Sequence, residues 1–301
     1  MEASRVTTRT QAWPLAGARQ VLSDYVELTK PRVQSLLLLT TITTMYVAGD
    51  PSLGLVALTC LGGSLSAGGA GAVNHWFDRD IDAQMARTAN RPVPAGRISP
   101  NAALGFGIGL QALSFLLLAT TVNLLSAFLA LAGFLGYVLV YTVWLKRSTP
   151  QNIVIGGAAG AVPPLVGWAA VKGHVDPTAL YLFAIVFYWT PPHFWALSLL
   201  MKDEYARVGV PMMPVVRGED ETRRQILLYT CLLVVLTLLP VVFAFFGALY
   251  AAVAVVLGGV FVFHAVRLQR SAERRAALKT YLFSLLYLAL LFVAMVADTR
   301  L

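Results

Sequence analysis

Nine long apolar runs dominate this 301-residue chain, at about 33–48, 53–73, 102–121, 125–145, 153–171, 179–200, 226–246, 248–266 and 281–297. Such runs approach the ~20 residues that an α-helix needs to cross the hydrocarbon core of a bilayer. They are too long for barrel strands, which would also alternate polar and apolar residues. In lipid, backbone N–H and C=O groups must be satisfied within the segment, so these runs can only be helices. The composition agrees: 57% of the residues are hydrophobic and 13% are charged, against about a quarter charged in a soluble domain. The expected fold is an all-α membrane bundle of nine transmembrane helices around a central cavity.

The Lys and Arg residues sort between alternate connections. One end of the expected bundle takes 21 of the 23. They are Arg5, Arg9, Arg19, Lys30 and Arg32 before the first run, then the groups Arg79 to Arg97, Lys146 and Arg147, Lys202 to Arg224, and Arg267 to Lys279. The other end holds Lys172 and Arg300. By the positive-inside rule the crowded end is cytoplasmic, which puts the N-terminus inside and the C-terminus outside and requires an odd number of spans. The net charge of +8 therefore reports topology, and nucleic acid is not an expected partner. Residues 1–32 read as a cytoplasmic segment and 33–301 as one polytopic domain in the lipid bilayer. The first apolar run is full length with no small-residue cleavage site, so no signal peptide is expected. Cys60 and Cys231 lie inside apolar runs, where packing is their expected role. The small-residue stretches from Gly62 to Gly71 and from Gly156 to Gly160 suit close helix packing.

Chemistry enters where the second run ends, in Asn74-His75-Trp76-Phe77-Asp78-Arg79-Asp80-Ile81-Asp82. On a helix, Asn74, Asp78 and Asp82 recur every four residues, about 6 Å along the axis and about 40° round it, and form one polar stripe. Carboxylates stacked in this way repel unless a cation lies between them. Mg²⁺ is the hard, oxygen-seeking ion that suits these donors, and it commonly brings a phosphate with it. The stripe points to a metal–diphosphate site at the mouth of a membrane-buried cavity.

A second polar cluster, Met201-Lys202-Asp203-Glu204-Tyr205-Ala206-Arg207, follows the sixth run. Together the two clusters suggest a pseudo-symmetric bundle with acidic groups around one cavity. Lys146, Arg147, Arg91 and Arg97 stand at the same end. Each serves as a membrane anchor by default, yet a diphosphate leaving group needs cations to take up its developing charge. His193 lies deep in the sixth run and His75 borders the stripe. Ionisable groups at such depth are functional candidates. Asn152 reads as a helix cap.

At these residues the chain resembles the UbiA superfamily of intramembrane prenyltransferases, and within it the protoheme IX farnesyltransferases. The resemblance runs through segments 24–32, 74–82, 87–92, 145–157, 163–170, 191–197 and 202–205. The aspartate stripe carries the superfamily. Pro191-Pro192-His193-Phe194-Trp195 with Lys202-Asp203-Glu204-Tyr205 carries the haem branch. The resemblance implies a UbiA-like fold in the bacterial cytoplasmic membrane, farnesyl diphosphate as donor, haem b as acceptor, haem O as product and Mg²⁺ as cofactor. A haem A synthase or a terminal oxidase assembly factor is the implied protein partner. Asn74, Asp78 and Asp82 become metal ligands, and Asp78, Asp82, Asp203 and Lys202 catalytic residues. Lys146, Arg147, Arg91 and Arg207 become diphosphate contacts, and His193, His75 and Trp195 haem contacts. Trp76, Phe77, Phe194 and Trp195 would shield an allylic cation from water. One departure concerns the superfamily's second Asp-x-x-x-Asp: Arg207 stands four residues after Asp203, which favours direct diphosphate contact there over a second metal ligand.

Two other functions fit less well. A prenyltransferase for a quinone precursor would share the stripe but not the haem-branch motifs. A cation-coupled transporter would place its charges near mid-membrane on broken helices, whereas these acids lie at helix ends on one side. The charge asymmetry also makes a direct prediction: reporter fusions before Met1 and after Leu301 should fall on opposite faces of the membrane, the first in the cytoplasm. Both reporters on one face would show a miscounted span.

Overall fold

The structure, a computed structural model, describes residues 17–271 and 273–301. Arg5, Arg9 and the first half of the expected 1–32 segment lie outside the described residues. Among the described residues there is no strand. The helices are α1 (Ala18–Leu28), α2 (Pro31–Ala48), α3 (Leu53–Phe77), α4 (Arg79–Asp82), α5 (Pro100–Thr121), α6 (Leu124–Leu135), α7 (Asn152–Gly160), α8 (Val162–Lys172), α9 (Pro177–Leu200), α10 (Lys202–Arg207), α11 (Met213–Val216), α12 (Glu219–Val242), α13 (Ala248–Arg270) and α14 (Arg274–Asp298). Their starts follow from local chemistry. Ser52, Ser99, Asn123 and Asp176 each accept a hydrogen bond from a backbone N–H of the following first turn, and Pro100 and Pro177 occupy first-turn positions where no N–H is needed.

Among the described residues, seven segments are long and apolar enough to cross a membrane: Leu53–Phe77, Pro100–Thr121, Leu124–Arg147, Asn152–Lys172, Glu219–Val242, Ala248–Arg270 and Arg274–Asp298. Helices α2 and α9, of 18 and 24 residues, are less apolar because threonines dilute the first and Pro191, Pro192 and His193 the second. Both pack among the seven, and a count of nine spans is compatible with the structure. Two expected single helices are divided. The run at 153–171 breaks at Ala161 into α7 and α8, because Pro163 and Pro164 lack the N–H a continuous helix would use. The run at 125–145 leaves α-geometry at Gly136, winds as a π-helix through Trp144 and ends in a tight 3₁₀ turn at Leu145–Arg147.

The largest apolar core lies among α9, α12, α13 and α14, where Trp189, Leu233, Phe261, Tyr287 and Phe292 are buried. Trp189 donates its indole N–H to the Ser284 carbonyl at 2.7 Å. On the other side of the bundle, α3 and α5 approach until their backbones touch. A Cβ on Gly69 would lie 2.6 Å from the Gly107 carbonyl oxygen, and one on Gly107 would lie 2.7 Å from Val73 Cγ2 and 2.8 Å from the Gly69 carbonyl oxygen. A backbone oxygen cannot step aside as a side chain can. Gly69→Ala should therefore force α3 and α5 apart and cost about 1–3 kcal/mol, read as a lower unfolding temperature in detergent. Gly63, on the same helix with nothing within 4 Å of its Cβ position, should tolerate alanine without loss.

Candidate active site

The stripe survives, though not on one continuous helix. Helix α3 ends at Phe77, Asp78 is its C-cap, and α4 resumes at Arg79. Across this junction the four-residue bonding continues: Asp78 N–H donates to the Asn74 carbonyl at 2.9 Å and Asp82 N–H to the Asp78 carbonyl at 2.8 Å. Asn74, Asp78 and Asp82 therefore still face one way, and all three are buried, Asp78 completely.

Each of the three is held by a cation from a different part of the chain. Lys30 donates from Nζ to Asn74 Oδ1 at 2.5 Å. Lys146 forms an ion pair with Asp78 Oδ2. Arg91 Nη1 stands 2.6 Å from Asp82 Oδ2. Arg147 grips Asp80 with both Nη atoms at 2.7 Å and reaches Asp78 Oδ1 at 3.4 Å. Its guanidinium also lies over the Phe77 ring, 4.8 Å from the centroid. Asn74 completes the set by donating from Nδ2 to Asp78 Oδ2 at 2.6 Å and to Thr142 Oγ1 at 3.2 Å.

Two lysines and two arginines thus meet three carboxylates. Burial of the Lys30 ammonium, followed by the charges of Arg91 and Lys146 and opposed by Asp78 and Asp82, lowers its pKa from the usual lysine value to about 7, so near neutral pH it is charged only in part and a bound anion would complete its charge. Asp80 shows the opposite effect, held below the usual carboxylate range chiefly by its hydrogen bonds from Arg147. Such a cluster favours an anion. It also suits Mg²⁺, because Asn74 Oδ1 and the Asp78 and Asp82 carboxylates are hard oxygen donors, and Mg²⁺ commonly binds through one or two carboxylates with substrate phosphate completing its shell.

Sequence reasoning did not single out Lys30 for this site. It precedes Pro31 and adopts φ 54°, ψ 57°, a left-handed conformation that costs a non-glycine residue roughly 1–2 kcal/mol. Strain of this kind gathers at functional sites. It turns Lys30 back beneath α1 toward Asn74. The signs in the sequence were its place in segment 24–32, which shares in the family resemblance, and its position directly before the proline that opens the first span.

The second cluster makes ion pairs of its own. Lys202 pairs with Glu219 at 3.1 Å. With Asp203, Glu204 and Arg223 it lines a separate polar cavity of about 390 Å³. Asp203 and Arg207 are exposed. Glu204 Oε2 is buried with no partner among the described residues, and Tyr205 lies near enough to the stripe to feel the charges of Arg87, Arg91 and Asp82. Among the acceptor candidates, His193 stacks between Trp189 and Tyr281, at 4.3 and 4.8 Å between centroids, and its Nδ1 is 2.7 Å from Ser284 Oγ. His75 is buried with both ring nitrogens unpartnered, and the buried Trp195 has a free indole N–H. Asn152 is not a cap: its carboxamide is buried and makes no hydrogen bond. Phe194 is 37% exposed and meets the His193 ring edge-on, 5.0 Å between centroids.

A helical membrane bundle that gathers oxygen donors and cations at one mouth has the architecture of an intramembrane prenyltransferase. Residues 37–292 match the UbiA prenyltransferase family, and the chain belongs to it. Within the family it is similar to proteins named protoheme IX farnesyltransferase. The one from Symbiobacterium thermophilum is 56% identical over 93% of this chain and 95% of its own length. The one from Roseiflexus sp. is also 56% identical, over 94% of this chain but only 54% of its own length, so the chain spans about half of that relative. The solved structure of a UbiA homolog from Archaeoglobus fulgidus bound to GPP and Mg²⁺ shares the fold, with a TM-score of 0.67, 17% identity, and coverage of 90% of this chain and 99% of that one.

The Asp78–Lys146 pair can be tested as an interaction in its own right. Lys146→Met leaves a fully buried carboxylate with a more distant guanidinium, a change expected to cost about 3 kcal/mol in denaturation in detergent. Adding Asp78→Asn should recover most of that loss, since the uncompensated charge is then gone. Equal loss in the single and double variants would show that the charge is not what matters.

Proposed function

We propose that the chain transfers the farnesyl group of farnesyl diphosphate to a vinyl group of haem b in a Mg²⁺-dependent reaction, giving haem O. The convergence of Lys30, Arg91, Lys146 and Arg147 on Asn74, Asp78 and Asp82 carries this reading. The similarity to proteins named protoheme IX farnesyltransferase supports it.

Asn74, Asp78 and Asp82 would hold Mg²⁺, which when bound supplies positive charge against the departing diphosphate. Lys30, Arg91, Lys146 and Arg147 receive the phosphate oxygens as the allylic C–O bond breaks and diphosphate leaves with the bonding pair. Lys202, Asp203 and Arg207 serve the mouth from its other side. The vinyl group of haem b contributes its π electrons to the new C–C bond, and water adds to the resulting cation with loss of a proton. Trp76, Phe77, Phe194 and Trp195 restrict water around the allylic centre. For the acceptor, His193, His75 and Trp195 are the candidates: His193 stacks between two aromatic faces, and His75 and Trp195 have polar atoms to spare.

The protein is assigned to the bacterial cytoplasmic membrane, with its N-terminus inside, its C-terminus outside, and residues 33–301 forming the catalytic domain. A haem A synthase or terminal oxidase assembly factor would take the product.

Asp78→Ala and Asp82→Ala should each lower farnesyl transfer to haem b by about a hundredfold or more while the protein still folds in detergent. Near-normal turnover at limiting Mg²⁺ in either variant would reject the metal–diphosphate assignment. In the wild type, transfer to haem b should far exceed transfer to 4-hydroxybenzoate. The reverse preference would place the activity with the quinone-precursor enzymes.

A further inference from the structure

We propose that Asp24 and Arg97 are positioning residues that set the two cations at the ends of the stripe, Lys30 and Arg91. The inference rests on the diphosphate reading above.

Asp24 is 2% exposed on a helix that is otherwise largely open, with Val21, Leu22 and Val26 between 44% and 66% exposed. A buried carboxylate is costly unless it is paired. Asp24 Oδ1 accepts from Arg97 Nε at 2.9 Å and from Gln20 Nε2 at 3.2 Å. Arg97 then donates from Nη2 to the Asn90 carbonyl at 3.1 Å and stands 3.7 Å from Glu27. Asn90 immediately precedes Arg91, whose guanidinium holds Asp82. Polar contacts, linked by the Asn90–Arg91 peptide, therefore join α1 to the far end of the stripe.

The loop between α4 and α5 is shaped to present Arg97 in this way. Arg97 N–H and Ile98 N–H both donate to the Pro92 carbonyl, at 2.8 and 3.1 Å. Gly96 takes φ 73°, a left-handed turn that suits glycine, and the chain folds back over the Pro92–Val93 peptide. Val93 and Ile98 from this loop bury against Leu28 at the end of α1. Two residues later comes Lys30, in its left-handed conformation, holding Asn74. Helix α1 thus governs Lys30 through the chain and Arg91 through the Asp24–Arg97 staple. Neither Asp24 nor Arg97 touches the stripe. Losing the staple frees α1 and the loop while leaving the α9, α12, α13 and α14 core intact.

The test uses the full chain with Asp24→Asn, Arg97→Gln and the double substitution, assayed for farnesyl transfer to haem b. Hydrogen exchange of amides 90–98 is followed in parallel. Each single variant should raise KM for farnesyl diphosphate about tenfold, with kcat changed less than about twofold and KM for haem unchanged, because the lost interaction serves donor binding. The double variant should be no worse than either single, as for two halves of one contact. Exchange across the loop should quicken in all three. Arg97→Lys, which keeps the charge opposite Asp24, should restore most of the donor affinity, and it stands in if Arg97→Gln fails to fold. Wild-type KM for the donor in the variants, or additive effects in the double, would overturn the proposal. Failure of the underlying reading is distinguishable: the wild type would then transfer no farnesyl, while loop exchange would still quicken in the variants and the staple would stand.

Discussion

A carboxylate with no exposed surface, Asp78, fixes much of what surrounds it. Taking an ion out of water costs several kcal/mol even after the protein relaxes, and only close, well-aligned partners offset that cost. Asp78 draws its partners from the last residues of the π-helical span, Lys146 and Arg147, and from Asn74 one turn below it. Asp82 needs Arg91 from the loop after α4, and Asn74 takes Lys30 from the junction of α1 and α2. Segments that would otherwise be independent connections are thereby tied to one point at the end of α3.

Close backbone packing makes that convergence reachable. The small-residue stretch of α3 lies against α5 on one face and against the α1–α2 junction on another. A Cβ on Gly71 would stand 2.8 Å from the Leu28 carbonyl oxygen, and one on Gly68 would stand 3.0 Å from Thr29 Cβ. Larger residues at these places would lift Lys30 off Asn74. The glycines read from the sequence as packing surface are therefore also part of the geometry of the charged site. Membrane helices have little hydrophobic drive to associate with one another, and close contact between small residues supplies much of their attraction.

How much of this was legible in the sequence varied with the range of the interaction involved. The apolar runs announced the spans, because length and hydropathy are local properties. The stripe was legible too, since four-residue spacing persists through the Asp78 junction. Lys146, Arg147 and Arg91 were recognised as cations at the right end, but not as separate partners of particular stripe residues. Lys30 was missed because its position depends on a left-handed backbone and a packed glycine face, neither of which a residue pattern encodes. The second cluster was legible as charge at a helix end, but not the pairing of Lys202 with Glu219 or the nearness of Tyr205 to Arg91 and Asp82. Histidines were equally opaque, because whether a ring is clamped, as in His193, or left with free nitrogens, as in His75, depends on neighbours remote in sequence.

The π-helical stretch Gly136–Trp144 bears on how a chain like this tolerates change. Each bond in a π-turn encloses one residue more than an α-turn, so the segment behaves as though extra residues had been inserted into an ordinary span. Removing one would let the segment close toward regular α-geometry while the residues on either side keep their facing. Lys146 and Arg147 lie beyond it, and they would stay against Asp78 and Asp80. The same deletion in a span that is α-helical throughout, such as α3, would instead rotate every later residue by about 100° and shift it by about 1.5 Å, taking Asp78 and Asp82 off their partners. Slack in chain length is thus lodged in the span that carries two of the site's cations.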